Sequence, residues 1–179
     1  MFGNEKQIII AGHGGQGIVL AGNLLARACI FENKHVTGMV AYGAEMRGGT
    51  AYATIIISDE PIASPCVEKP NAAIILNQPS LDRFEQDMTP GAVVVLNVSI
   101  IERMPARTDI RIVPIEASHI AEELGNSKVV NIVALGAFIK AAKPVSIGSV
   151  EKAIEELFAE KHKAMAEINK QALLRGYSI

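Results

Sequence analysis

Short and long apolar segments alternate along the chain, and they predict strands and helices in turn. Short runs rich in Ile, Val and Ala predict strands at residues 7–11, 35–40, 50–57, 72–76, 92–96 and 110–113. Longer segments predict helices at residues 16–32, 80–86, 115–124, 129–142 and 149–175, with Ser149 as the cap of the last helix, Gly125 closing the third and Gly176 ending the last. This alternation predicts an α/β fold, three-layer α/β/α with a mixed, mostly parallel sheet. No helix separates the strands at 35–40 and 50–57, which favours antiparallel pairing of those two.

The first predicted helix is apolar on most of its circumference, with Asn23, Arg27 and Glu32 as its clear polar positions. A helix of this kind is covered on more than one side. The sheet covers one side. A later helix of this chain or a partner chain covers another, and the sequence leaves both alternatives open.

A glycine-rich stretch, Gly12-His13-Gly14-Gly15-Gln16-Gly17, joins the first strand to this helix. The first N–H groups of a helix have no partner inside it, so they form a small positive site. A turn without side chains lets a ligand come close to those donors, and a phosphate is the natural guest. Alternatively, the glycines only allow close packing of the strand against the helix.

Composition excludes several classes of protein. The chain has 179 residues, 49% hydrophobic and 4% aromatic, which predicts one domain spanning residues 1–179 with a core of Ile, Val, Leu and Ala. A net charge of −2 without a basic block gives no indication of a nucleic acid or an anionic membrane surface as partner. With no signal sequence and no apolar run near the ~20 residues of a membrane span, a soluble, cytoplasmic protein is expected. The two cysteines, Cys29 and Cys66, are too few for a disulfide scaffold, a zinc site or a Fe–S cluster.

A dinucleotide site is one interpretation of the glycines, because Gly12, Gly14 and Gly17 fit G-x-G-x-x-G. Such a site usually has an acidic residue about 20 residues later, at the end of the second strand, to hold the ribose. Residues 36–41 contain no acid, and Glu45 comes later, beside Arg47. The pattern therefore gives an NAD site little support.

Other candidate side chains lie in and near the two glycine-rich loops. His13 is suited to contact an anion or shuttle a proton, or it serves as a turn residue that tolerates unusual backbone angles. Arg47, followed by Gly48-Gly49, can bind a phosphate or carboxylate through its guanidinium or anchor a partner subunit, and Tyr42 shares this ambiguity. We find no nucleophile elbow with its triad and no paired carboxylates. The sequence predicts a binding site rather than a catalytic one.

Two motifs together carry a family resemblance. The stretch 12–17 with its following helix, and Tyr42-Gly43-Ala44-Glu45-Met46-Arg47-Gly48-Gly49, resemble the gamma subunit of 2-oxoacid:ferredoxin oxidoreductases, most closely the 2-oxoglutarate branch. The resemblance extends through residues 62–65 and 71–81 to 169–173, and thus covers most of the chain. Members of the family often carry Ser where Ala41 stands and Pro where Ala44 stands.

The resemblance implies a complex that oxidatively decarboxylates a 2-oxoacid, expected to be 2-oxoglutarate, joins the acyl group to coenzyme A and passes electrons to ferredoxin. It implies that thiamine diphosphate, Mg²⁺ and [4Fe–4S] clusters belong to partners, namely alpha and beta subunits and a ferredoxin-like delta subunit. The sequence agrees with this, because it has two cysteines and no Gly-Asp-Gly thiamine signature.

By the same resemblance, the gamma domain packs against the catalytic subunits and helps to shape the coenzyme A side of the active centre. The candidate coenzyme A or interface contacts are Gly12, Gly14, Gly15, Gln16, Gly17 and Arg47. No residue of this chain is expected to be catalytic, and the chain alone is expected to be inactive, with a homodimer plausible in isolation. A free-standing NAD-type protein and a pure assembly scaffold are the alternatives.

Overall fold

The computed structural model of the chain describes residues 5–42, 50–158 and 163–179. Within them, one mixed sheet contains β1 (Lys6–His13), β2 (His35–Tyr42), β3 (Thr50–Ser58), β4 (Ala72–Ile75), β5 (Val93–Asn97) and β6 (Arg111–Ile115). The strands lie in the order β2-β3-β1-β4-β5-β6. Strand β3 pairs antiparallel with β2 and β1, whereas β1, β4, β5 and β6 are parallel to one another. The predicted mixed sheet and its antiparallel pair are confirmed.

Helices cover the two faces of the sheet unequally. They are α1 (Ile18–Phe31), α2 (Gln78–Phe84), α3 (Ala117–Glu123), α4 (Val130–Ala142), α5 (Ile147–Phe158) and α6 (Lys163–Tyr177). Along β1, Ile8 and Ile10 face a core shared with α1 and α3 to α6, while Ile9 and Ala11 face a smaller core that contains α2. Alternation of side chains along the strand therefore places β1 between two apolar layers. In the described parts of the chain, no helix is long and apolar enough to cross a membrane.

The second cover of α1 is α5, a later helix of the same chain. Arg27 pairs with Glu156 at 3.7 Å, and the Lys152 ammonium lies 4.2 Å from the centroid of the Phe31 ring. The sequence left open whether a later helix or a partner chain covers this side of α1, and the structure shows a later helix there.

The start of α5 corrects one predicted cap. The Ser149 N–H donates to Ser146 Oγ at 3.2 Å, so Ser146, and not Ser149, caps this helix. Ser149 Oγ instead donates to Glu32 Oε1 at 2.7 Å, and the Ser146 N–H donates to the same oxygen at 2.6 Å. Glu32 thereby links the end of α1 to the start of α5.

The prediction of one long terminal helix is wrong, because α5 and α6 are separate helices that pack against each other. The Lys170 ammonium contacts the Glu155 carboxylate, although fifteen residues of straight helix would separate them by about 22 Å. Gly176 does not end the helix either, since α6 continues to Tyr177. Packing against α4 explains the second difference, because Gly176 gives α6 a close contact with the α4 backbone at Val133.

Candidate functional site

The glycine turn lies at the carboxyl end of β1, in the middle of the sheet. The Gln16 N–H donates to the His13 carbonyl at 3.2 Å, which closes a four-residue turn. Gly15, at its third position, has φ +95°, the left-handed value that a type II turn requires there. Among the described residues, a Cβ added at Gly14 or Gly15 would meet nothing within 4 Å. No described residue therefore crowds the tip of the turn.

Gln16 closes the turn from inside. Its side-chain oxygen accepts a hydrogen bond from the His13 N–H at 2.9 Å and lies so close to Gly12 that a Cβ at Gly12 would overlap it. The same Cβ would also lie 3.2 Å from Leu76 Cβ of the neighbouring segment. Gly12 and the Gln16 oxygen thus serve the internal geometry of the turn.

A group of main-chain donors at this end of α1 has no acceptor. In residues 5–42, 50–158 and 163–179, no backbone or side-chain oxygen accepts from the N–H groups of Gly14, Gly15 or residues 17–20. The first turn of α1 contains no acidic side chain, and no side chain in the described part of the chain caps the helix. The helix dipole adds partial positive charge at the same place. This arrangement suits an anion.

Gly17 is the N-cap of α1, in the left-handed conformation with φ 72°. Its carbonyl accepts a hydrogen bond of 2.8 Å from Asn131 Nδ2 of α4, and a Cβ at Gly17 would overlap that amide. Asn131 is 1% exposed. Sequence reasoning missed this residue, although it is the one polar side chain in the apolar run 129–139. That isolated polar position was the available signal.

His13 is the last residue of β1, where it pairs with Thr50. Its Nδ1–H donates to the Gly14 carbonyl at 2.9 Å, and the ring is exposed. Among the described non-glycine residues, positive φ occurs only at Asn33 and Lys143. The interpretation of His13 as a residue with unusual backbone angles is therefore wrong, and its contact with an anion stays a prediction.

Arg47 lies outside the described residues, as does the rest of the segment 43–49. The strands that flank this segment are informative, because Tyr42 pairs with Ala51 and Thr50 pairs with His13. Both ends of the segment therefore join the sheet beside the glycine turn. The glycine turn and both flanks of the second motif thus share one end of the sheet, and the role of Arg47 itself stays a prediction.

Cavities occur elsewhere on the described surface. One of about 170 Å³ lies between α1 and the β2–β3 edge, and another of about 190 Å³ lies on the opposite face of these strands. A third, of about 470 Å³, is lined by Arg111, Lys140 and Lys143 at the far end of the sheet. None of the three is lined by residues 12–17.

Comparison with known proteins identifies the class of this chain. Residues 7–179 match the family described as pyruvate ferredoxin/flavodoxin oxidoreductase, and the chain belongs to this family. It is 38% identical to the 2-oxoglutarate synthase subunit KorC of Methanocaldococcus jannaschii, over 98% of this chain and 94% of that protein. It is 31% identical to the pyruvate/ketoisovalerate oxidoreductases common subunit gamma of Thermococcus kodakarensis, over 90% of this chain and 93% of that protein.

Solved structures agree with this assignment. The gamma subunit of the keto/oxoacid ferredoxin oxidoreductase from Geobacter sulfurreducens has a TM-score of 0.83 and 29% identity, over 97% of this chain and 96% of that chain. The 2-oxoglutarate:ferredoxin oxidoreductase from Magnetococcus marinus shares the fold, with a TM-score of 0.88 and 23% identity, over 98% of this chain and 31% of that chain. The chain is thus a gamma-type subunit of a 2-oxoacid:ferredoxin oxidoreductase, which confirms the resemblance noted in the sequence. None of the relatives named here is a free-standing NAD enzyme.

Proposed function

We propose that this subunit supplies the glycine turn as a phosphate-binding element on the coenzyme A side of the active centre, and that it leaves catalysis to its partners. Coenzyme A carries several phosphate groups, and the N–H groups at the start of α1 that have no acceptor among the described residues are suited to bind one of them. The protein from Magnetococcus marinus was solved with 2-oxoglutarate, coenzyme A and succinyl-CoA bound. That complex is consistent with a coenzyme A site in an assembly that contains this fold.

Gly14 is the observation that carries the proposal. Packing explains Gly12 and Gly17, where a Cβ would overlap Gln16 or Asn131, and the left-handed backbone explains Gly15. Gly14 has neither a left-handed backbone nor a neighbour within 4 Å of an added Cβ. The described chain therefore does not require a glycine at this position. Close approach of a ligand or another subunit would account for it, and the donors beside it, which have no acceptor among the described residues, favour an anionic ligand.

The cofactors of the reaction fit partner subunits better than this chain. Thiamine diphosphate, Mg²⁺ and [4Fe–4S] clusters supply carbanion and electron-transfer chemistry when bound. Burial, with a smaller contribution from Glu32, raises the pKa of the Cys29 thiol to about 12, so it stays protonated and is a poor iron ligand. The described residues contain no group of three or more His, Cys, Asp or Glu that could hold a metal ion. We assign these cofactors to alpha and beta subunits and a ferredoxin-like delta subunit.

We propose 2-oxoglutarate as the substrate of the complete enzyme. Support comes from the 38% identity with a KorC subunit. The ketoisovalerate oxidoreductase subunit VorA of Methanothermobacter marburgensis is 34% identical, so other 2-oxoacids are the alternatives to test. The test uses the purified native complex. It compares the rate of coenzyme A-dependent ferredoxin reduction with 2-oxoglutarate, pyruvate and ketoisovalerate as substrates. A higher kcat/KM for either of the other two would contradict the assignment.

The test of the glycine turn uses Gly14→Val in the reconstituted complex, with Gly148→Val as the matched control. Gly148 is exposed near the start of α5, and an added Cβ there also meets nothing within 4 Å. We expect Gly14→Val to assemble and to raise the KM for coenzyme A by about tenfold, because its side chain blocks a bound phosphate. The KM for the 2-oxoacid should not change.

Two other results would contradict the proposal in different ways. An assembled Gly14→Val complex with the wild-type KM for coenzyme A shows that the turn does not bind it. Failure of Gly14→Val to join the complex, while Gly148→Val joins normally, assigns the turn to a subunit interface and favours the scaffold alternative.

A further inference from the structure

A buried asparagine lies against the N-terminus of α1, although 114 residues separate it in sequence from its partner there. Asn131 Nδ2 donates to the Gly17 carbonyl at 2.8 Å. A Cβ built on Gly17 would lie 2.9 Å from Asn131 Cγ and 3.3 Å from Oδ1. The whole side-chain amide therefore faces Gly17, the N-cap of α1.

The Gly17 carbonyl holds two hydrogen bonds, one from Asn131 and one from the Ala21 N–H at 3.1 Å. This carbonyl and the Ile18 N–H belong to the same planar trans peptide, so they point in opposite directions. Holding the oxygen toward Asn131 fixes the direction of the Ile18 N–H. That N–H is one of the donors without an acceptor in the described chain.

The other amide atom of Asn131 is unsatisfied. Because a carbonyl oxygen only accepts hydrogen bonds, Nδ2 must face Gly17, and Oδ1 is left over. Oδ1 is buried and has no hydrogen-bond partner within the described ranges. An apolar side chain at this position would leave no polar atom unpaired, so packing alone does not account for an amide here.

We propose that Asn131 is a positioning residue of the glycine-turn site: through the Gly17 carbonyl it orients the Ile18 N–H toward a bound oxyanion. This inference rests on the proposed function, in which that oxyanion is a phosphate of coenzyme A. Asn131 itself does not touch the ligand. Replacement by Asp removes the donor to Gly17 and adds a negative charge beside the same helix end. Loss of the donor frees the Ile18 N–H from its fixed direction, and the added charge repels the oxyanion.

The experiment compares Asn131→Asp and Asn131→Leu in the reconstituted complex, with Asn169→Asp as the matched control. Asn169 is also buried, at 2% exposure, and its Nδ2 donates to the Met165 carbonyl within α6. We expect Asn131→Asp to raise the KM for coenzyme A by about tenfold or more and Asn131→Leu by about threefold. The KM for the 2-oxoacid should stay at the wild-type value. Asn169→Asp should leave both KM values unchanged, whatever its effect on the melting temperature.

A purely structural role predicts a lower melting temperature with a wild-type KM for coenzyme A, and that result overturns the inference. If Asn131→Asp does not assemble, Asn131→Leu carries the test, because it also lacks the donor to Gly17. Comparison with Gly14→Val separates the two proposals. A raised KM in Gly14→Val with unchanged values in both Asn131 variants rejects the inference alone, whereas unchanged values in all three reject the coenzyme A site itself.

Discussion

The carbonyl of Val133 in α4 lies so close to Gly176 in α6 that any side chain at Gly176 would overlap it. The contact has a counterpart one turn away, where a Cβ at Gly136 would overlap the Leu173 carbonyl. The two helices therefore cross with their backbones in direct contact, one glycine on each. This close contact with α4 holds α6, which is moderately polar overall, against the core.

We predict that Gly176→Ala and Gly136→Ala each lower the free energy of unfolding by about 3 kcal/mol, because the added methyl group forces the helices apart. Thermal and urea denaturation of the purified chain measures this. Gly148→Ala, at an open position of α5, should be neutral or stabilise by up to about 1 kcal/mol. If Gly176→Ala and Gly148→Ala change the free energy of unfolding by the same amount, the close crossing of α4 and α6 is wrong.

A buried carboxylate, Glu85, holds the connection between β5 and β6. It is 3% exposed, and its carboxylate accepts hydrogen bonds from the Ala106 N–H at 2.5 Å, the Arg107 N–H at 3.1 Å and Arg103 Nη2 at 2.9 Å. Burial alone would raise the pKa of Glu85, but these hydrogen bonds outweigh burial and hold the pKa below its ordinary value. The ionised form is thus the one that the fold stabilises.

We predict that the contribution of Glu85 to stability is present above the ordinary glutamate pKa and is lost as pH falls through its lower folded-state pKa. Glu85→Gln should reduce the free energy of unfolding by about 2 kcal/mol at neutral pH, because a neutral amide replaces the carboxylate that accepts these hydrogen bonds. The difference from wild type should shrink below about pH 4. Denaturation curves from pH 7 to 3 measure it.

Asp82→Asn is the control for that series, because Asp82 also pairs with Arg103, at 2.8 Å, but is half exposed. Solvent screens an exposed ion pair strongly, so this variant should change the free energy of unfolding little. If Glu85→Gln loses the same free energy of unfolding relative to wild type at pH 3 and at pH 7, the charge of Glu85 does not contribute to stability.

The two cysteines should react very differently with thiol reagents. Cys29 is buried with a pKa raised to about 12, whereas Cys66 is exposed. Since the thiolate is the reactive form, we predict that the native chain is modified at Cys66 alone at neutral pH, and at both sites in denaturant. Mass spectrometry of iodoacetamide-treated peptides identifies the modified residue. Modification of Cys29 in the native chain at a rate similar to that of Cys66 would contradict the buried position.

Much of the candidate site was predictable because its signals are local. A strand, a glycine turn and an apolar helix follow one another within about 25 residues, and this order fixes where helix donors become exposed. The sequence did not separate the roles of the glycines. Gly12 and Gly17 allow close packing and Gly15 adopts a left-handed backbone, which leaves Gly14 without an explanation among the described residues.

By itself, the sequence determined the strands, most of the helices and the mixed sheet, because periodicity and turn residues act over short distances. Two motifs, at residues 12–17 and 42–49, carried the resemblance to the family. Only the tertiary structure placed Asn131 beside Gly17 and Glu85 beside Arg107, and only it separated α5 from α6. These contacts join segments far apart in the chain, and their stability comes from packing and buried hydrogen bonds. No local pattern specifies which distant residue will supply the other half of such a pair.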